Sequence, residues 1–212
     1  MDGPFLFLNG FFKFIKHPID RRVNHKHFFK DLIFGFLALD ITILLPTILI
    51  VSFVSDALNI DPSSKFDVLF DSEPIILAVS AIILAPLLEE LIFRFFIRLK
   101  YAFFYVYPII LVGRMLKIHH ICLYKWMITS WSTVFPVIFF GSSLLFGFVH
   151  IFNFESAEEF LPYFPILTLP QIFLGLIFGY TRIAYGLKYS ILFHAIHNGV
   201  LILPLTIYYL VK

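Results

Sequence analysis

Five stretches of this chain are apolar for about 20 residues or more, the length a helix needs to cross a bilayer. They are Leu32–Ser55, Pro74–Ile97, Met127–Ile151, Leu161–Ile183 and Tyr189–Val211. Lipid offers the backbone no hydrogen-bond partners, which confines such segments to helices. A sixth stretch, Tyr101–Met115, is shorter and contains Pro108 and Gly113; a short span, a re-entrant piece and an interfacial helix all fit it. Phe5–Lys16 reads as an aromatic-rich helix lying at the interface. The expected fold is therefore all-α: a polytopic transmembrane helical bundle of five to six spanning segments, with a re-entrant or interfacial helix. A basic, aromatic-rich N-terminal region, residues 1–31, precedes a membrane-embedded domain, residues 32–212.

Composition excludes the main alternatives. Of 212 residues, 60% are hydrophobic and 14% are charged, against roughly 45–50% and about 25% in soluble domains. A soluble protein of this size lacks the interior to hide so much apolar side chain. Soluble enzyme, nucleic-acid binder and disordered chain are excluded as first readings. The net charge of +2 implies no polyanionic partner. Cys122 is the single cysteine, which rules out an internal disulfide and most cysteine-built metal sites.

Charge placement gives an orientation. Lys13, Lys16, Arg21, Arg22, Lys26 and Lys30 precede the first span, which sets the N-terminus in the cytoplasm. Residues 56–73 are acidic apart from Lys65, and residues 153–160 carry Glu155, Glu158 and Glu159 with no basic residue. If Tyr101–Met115 does not cross, every Lys and Arg except Lys65 and Lys212 falls on the cytoplasmic side. A sixth crossing breaks that asymmetry, so five crossings are favoured. No secretory signal is expected, because Pro4–Phe12 has no basic residue before it. Small size and the lack of sorting signals point to a bacterial cytoplasmic membrane.

Ionisable side chains inside spanning helices are costly, at roughly 2.5 kcal/mol or more near the centre, and mark a functional interior. Three clusters stand out. In Leu87–Arg94, Glu90 and Arg94 are i,i+4 and share a face suited to a local ion pair. Glu89 points about 100° away and is the carboxylate left free to act as a base. In Phe146–His150, Phe146 sits one turn before His150, and Gly147 permits close helix approach. In the last span, His194 and Asn198 present two polar groups on one face. Each cluster alone has a structural reading: a self-neutralising pair, an interfacial histidine, interhelical glue. Three such clusters on three spans exceed what lipid-facing scaffolding requires.

At these residues the sequence resembles a known family. Glu89-Glu90-x-x-Phe93-Arg94, Phe146-x-x-x-His150 and His194-x-x-x-Asn198 look like the three ordered motifs of the CPBP intramembrane proteases, which include the type II CAAX prenyl endopeptidases and the abortive-infection proteins. The resemblance covers about residues 74–203, and Gly175 and Gly179 before the last motif add to it. Two features depart from the pattern. Phe95 follows the motif arginine, where the family commonly has glycine. The segment between the first two motifs is long and carries Arg114, Lys117, His119, His120 and Lys125.

The resemblance implies an intramembrane endopeptidase acting on a membrane-associated polypeptide. By position, Glu89 with His150 would polarise the water, and His194 and Asn198 would donate to the oxyanion. Glu90 and Arg94 would orient the helix and tune Glu89. A metal-free, glutamate-activated water and a catalytic zinc held by Glu89, His150 and His194 both fit these residues; the resemblance favours the metal-free form. The rival classes are a non-catalytic membrane immunity or scaffold protein of the same fold and, further off, an ion- or proton-coupled transporter. Convergence of Glu89, His150, His194 and Asn198 on a water-admitting cavity separates catalysis from scaffolding. Asp40, in the first span, has no basic residue in that span to pair with, and His197 has no assigned role.

Overall fold

The computed structural model describes residues 5–22, 29–58, 70–99, 120–155 and 157–212. Every regular element among them is helical: α1 (Phe5–Lys16), α2 (Phe29–Leu58), α3 (Pro74–Ile97), α4 (His120–His150), α5 (Leu169–Ala184) and α6 (Leu187–Val211). Helices covering Leu32–Leu58, Pro74–Ile97, Thr129–Asn153 and Leu187–Val211 are long and apolar enough to cross a membrane. Large apolar side chains such as Leu49, Phe53, Ile76, Val137 and Ile207 stand exposed on the outer faces of four helices. In water such a surface is unstable; in lipid it is what an integral membrane protein presents.

One expected span is divided. Leu161–Ile183 is not a single helix: a 3-10 turn at Leu161–Tyr163 and a turn over residues 164–168 precede α5, which starts only at Leu169. Two prolines account for the break. Pro165 holds Phe164 in extended backbone, and Pro170 sits in the first turn of α5, where a missing N–H costs nothing. The 16 residues of α5 reach about 24 Å, short of the roughly 30 Å hydrocarbon core. The Tyr101–Met115 stretch lies outside the described residues.

Contacts fix the helix directions. Ser142 of α4 donates to the Phe93 carbonyl of α3 at 2.6 Å, while His150 lies level with Glu89; α3 and α4 are antiparallel. Thus α3 ends and α4 starts at the same end of the bundle. Gly147 faces Ile172, Gly175 faces Ser143 and Gly179 faces Phe139, so α4 and α5 run antiparallel along a seam of small residues. Between α5 and α6 the chain reverses at Gly186, whose φ of 115° is open to glycine and strained for other residues.

The core is aromatic and reaches every helix. Phe36 of α2, Phe93 of α3, Phe146 of α4, Phe178 of α5 and Phe193 of α6 are buried together. The expected N-terminal helix is present, and it contributes to this core: Phe7 and Phe11, one turn apart, are buried against Tyr180 of α5. Beyond α1, the Asp20 carboxylate accepts from Arg98 Nε at 3.0 Å, from the Leu99 amide at 2.9 Å and from Trp131 Nε1 at 3.1 Å. One acidic side chain thereby ties the N-terminal region to the end of α3 and to α4.

Candidate functional site

The site begins with a defect in α3. Residues Ser80–Leu84 form a π-helical turn, in which the Ala85 N–H reaches back to the Ser80 carbonyl. The next residue, Pro86, has no N–H. The two amides placed to close on the Ala81 carbonyl are therefore engaged or missing. Asn198 of α6 supplies the donor, with Nδ2 at 2.7 Å from the Ala81 oxygen. The contact locks α6 to α3 and leaves one amide N–H of Asn198 for a ligand.

One helical turn beyond Pro86, the adjacent carboxylates part as their spacing predicts. Glu90 is wholly buried. Its Oε1 faces Arg94 Nε at 3.7 Å and His194 Nδ1 at 3.1 Å. Its Oε2 meets the Ser190 hydroxyl, which also lies 2.9 Å from the Phe178 carbonyl. Arg94, fully buried, places its guanidinium 3.9 Å over the Phe146 ring, a cation–π contact, and none of its nitrogens has a hydrogen-bond partner. Glu89 turns the other way, into a cavity of about 400 Å³ that His150, His194 and Asn198 also line. All six residues singled out from sequence thus come together, four on the cavity wall and two behind it.

Two histidines face Glu89 in defined orientations. His150 Nδ1 lies 2.7 Å from the Phe146 carbonyl. A carbonyl accepts only, so Nδ1 carries the proton and Nε2 is the free acceptor; it stands 4.0 Å from Glu89 Oε2. His194 gives Nδ1 to Glu90, and its Nε2 is 3.7 Å from the same Glu89 oxygen. The Phe178 ring stacks on His194 at 4.4 Å, and Phe146 packs against His150 at 4.5 Å. Glu89 Oε2 itself has no hydrogen-bond partner.

For an ion, the donors would be Glu89 Oε2 and Nε2 of His150 and His194. Their 3.7 and 4.0 Å spacings exceed the roughly 3.3 Å between ligands of a tetrahedral zinc. Among the described residues, no group of three or more His, Cys, Asp or Glu is arranged to hold a metal ion.

A family model described as Type II CAAX prenyl endopeptidase Rce1-like matches residues 71–200, more than half of the chain. The protein belongs to this family. Neither a curated protein nor a solved structure matches it. Membership makes it, at family level, a CAAX-type intramembrane protease and an integral membrane protein. The matched residues of this Rce1-like chain include all six motif side chains and leave out α1 and α2.

Several supporting residues were not assigned from sequence. Arg182, the one charged residue of α5, is buried and donates from Nε to the Arg94 carbonyl at 3.1 Å and from Nη2 to the Phe95 carbonyl at 3.3 Å. Its isolation in an apolar helix was the available signal. Gln171 also lines the cavity, and its Oε1 lacks a partner. Ser190 is a small polar residue in a long apolar helix, and nothing in its spacing pointed to Glu90.

Proposed function

We propose that this protein hydrolyses a peptide bond of a membrane-associated polypeptide with a water activated by Glu89 and His150, without a metal. One observation carries the reading: Glu89 Oε2 and His150 Nε2, both acceptors, face each other at 4.0 Å across the cavity. Facing acceptors need a donor between them. A water with two hydrogen-bond arms of about 2.8 Å spans that gap at an angle of roughly 90°.

The water oxygen attacks the scissile carbonyl carbon while one of its protons passes to Glu89. The carbonyl oxygen becomes an oxyanion, for which the remaining Asn198 N–H is a donor in every protonation state. His194 adds a second donor from Nε2 when it carries both ring protons, because Nδ1–H is already given to Glu90. Collapse of the adduct breaks the C–N bond, and the proton held by Glu89 leaves with the amine. Glu90 and Arg94 act behind this chemistry: Glu90 orients His194, and Arg94 balances the buried carboxylates.

Convergence of the four cavity residues supports catalysis over a scaffold role. The test is substrate trapping with Glu89→Gln in lipid nanodiscs, followed by cleavage of the captured polypeptides by the wild-type protein. Retained cleavage by Glu89→Gln would sink the assignment. Loss of wild-type activity on strong chelation, restored by zinc, would sink the metal-free form.

A further inference from the structure

The cavity has a third histidine. His197 lies one turn beyond His194 on α6 and lines the same cavity. Its Nδ1 is 2.8 Å from Oδ2 of Asp40 on α2, and both side chains are buried. An ionised carboxylate only accepts, so Nδ1–H points to Asp40, and Nε2 is the one ring atom left to hydrogen-bond a ligand. The Phe178 ring, which stacks on His194, meets His197 in a T-shaped contact at 6.2 Å. Carboxylate and phenyl ring together hold the imidazole in place. Asp40 Oδ1 is buried without a partner, so the pair is an incompletely satisfied polar group beside the reactive carboxylate. Asp40 also lies outside the family match, on a helix for which the catalytic reading has no use.

We propose that Asp40 and His197 form a substrate-positioning pair: Asp40 fixes the ring, and His197 Nε2 accepts a hydrogen bond from a backbone N–H of the bound peptide. The chemistry selects the ligand group. An extended peptide in an apolar cavity brings N–H groups that have lost water, and each needs an acceptor. Glu89 and His150 are occupied by the attacking water, and Asn198 and His194 offer donors. His197 is the cavity histidine whose acceptor the hydrolytic step does not use. The proposal rests on the peptidase reading above and adds α2 to the active site.

The test is a cycle between protein and substrate. Internally quenched apolar peptides are screened against the full-length protein in nanodiscs. A cleaved peptide is then remade with single backbone amides replaced by esters, which removes one N–H at a time. At one position the ester should lower kcat/KM about tenfold for the wild-type protein, mainly through KM, and leave His197→Ala unaffected. His197→Gln, whose amide oxygen approximates Nε2, should recover most of the wild-type value and its ester sensitivity. Thermal unfolding of each variant in detergent identifies any that fail to fold, and His197→Gln then carries the comparison. If every ester costs the wild type and His197 variants equally while cleavage still depends on Glu89, the positioning role is overturned and the peptidase reading stands. If no peptide is cleaved by the wild type or bound by Glu89→Gln, the peptidase reading falls and the pair's role falls with it.

Discussion

The side-chain amide of Asn198 donates to the Ala81 carbonyl at 2.7 Å, a contact created by the π turn at Ser80–Leu84 and by the N–H that Pro86 lacks. A structural defect in one helix thereby holds a motif residue of another. Restoring the missing donor should release it. In Pro86→Ala the new amide N–H can satisfy the Ala81 carbonyl, and Asn198 loses its fixed partner. Peptidase activity should fall about tenfold, equivalent to roughly 1.4 kcal/mol of lost positioning, while the unfolding temperature holds or rises. Steady-state kinetics beside a thermal melt checks both, and undiminished activity would refute the link.

The neighbouring carboxylates should fail in opposite ways. Glu89 Oε2 has no hydrogen-bond partner, so Glu89→Gln should leave stability nearly unchanged and cut activity by about 10²–10⁴, the range for a lost general base. Glu90 is the counter-ion of fully buried Arg94 and the acceptor for Ser190 and His194. Removing its charge strands a buried cation, at about 3–5 kcal/mol. Glu90→Gln should therefore show a large fall in unfolding temperature. Equal melting curves for the two variants would contradict the division of labour.

This division was legible in the sequence because helical period alone separates adjacent side chains by about 100°. The Glu90–Arg94 pair followed from the same spacing, and the close approach at Gly147 from its lack of a side chain. Other features were hidden for physical reasons. A carboxylate in one span and a histidine in another, such as Asp40 and His197, carry no mutual spacing signal; their pairing depends on how helices pack. The π turn was also invisible, since a one-residue slip in backbone hydrogen bonding leaves hydropathy unchanged. Leu161–Ile183 misled because apolar composition outweighed the two prolines that divide it.

Arg182 tests whether a buried charge can serve structure alone. Its guanidinium donates to the carbonyls of Arg94 and Phe95, where α3 passes from α-helix to 3-10 turn. Each carbonyl oxygen has two lone pairs, so it can accept from the guanidinium as well as from the helix, and a planar fork can reach both. An ammonium is a single point on a flexible stem. Arg182→Lys should lose about 1–3 kcal/mol of stability despite keeping the charge, read as a lower unfolding temperature in detergent. A lysine variant as stable as the wild type would show that charge, and not the fork, is what α3 needs.

Two glycines give a matched pair for the α4–α5 seam. A Cβ on Gly175 would meet the Ser143 Cα at 3.0 Å, and a backbone atom cannot swing aside as a side-chain tip can. A Cβ on Gly141 would have nothing within 4 Å. Gly175→Ala must therefore push α5 away from α4, the helix that carries His150 to Glu89. Overpacking of this kind costs about 1–3 kcal/mol, and a displaced His150 widens the 4.0 Å gap across which the water is held. Stability and activity should fall together. Gly141→Ala meets no obstacle and gains helix propensity of up to about 1 kcal/mol, so its unfolding temperature should hold or rise with activity intact. Parallel melts and assays of the two variants decide the matter: if Gly175→Ala is as harmless as Gly141→Ala, close contact along the seam does not set the position of His150.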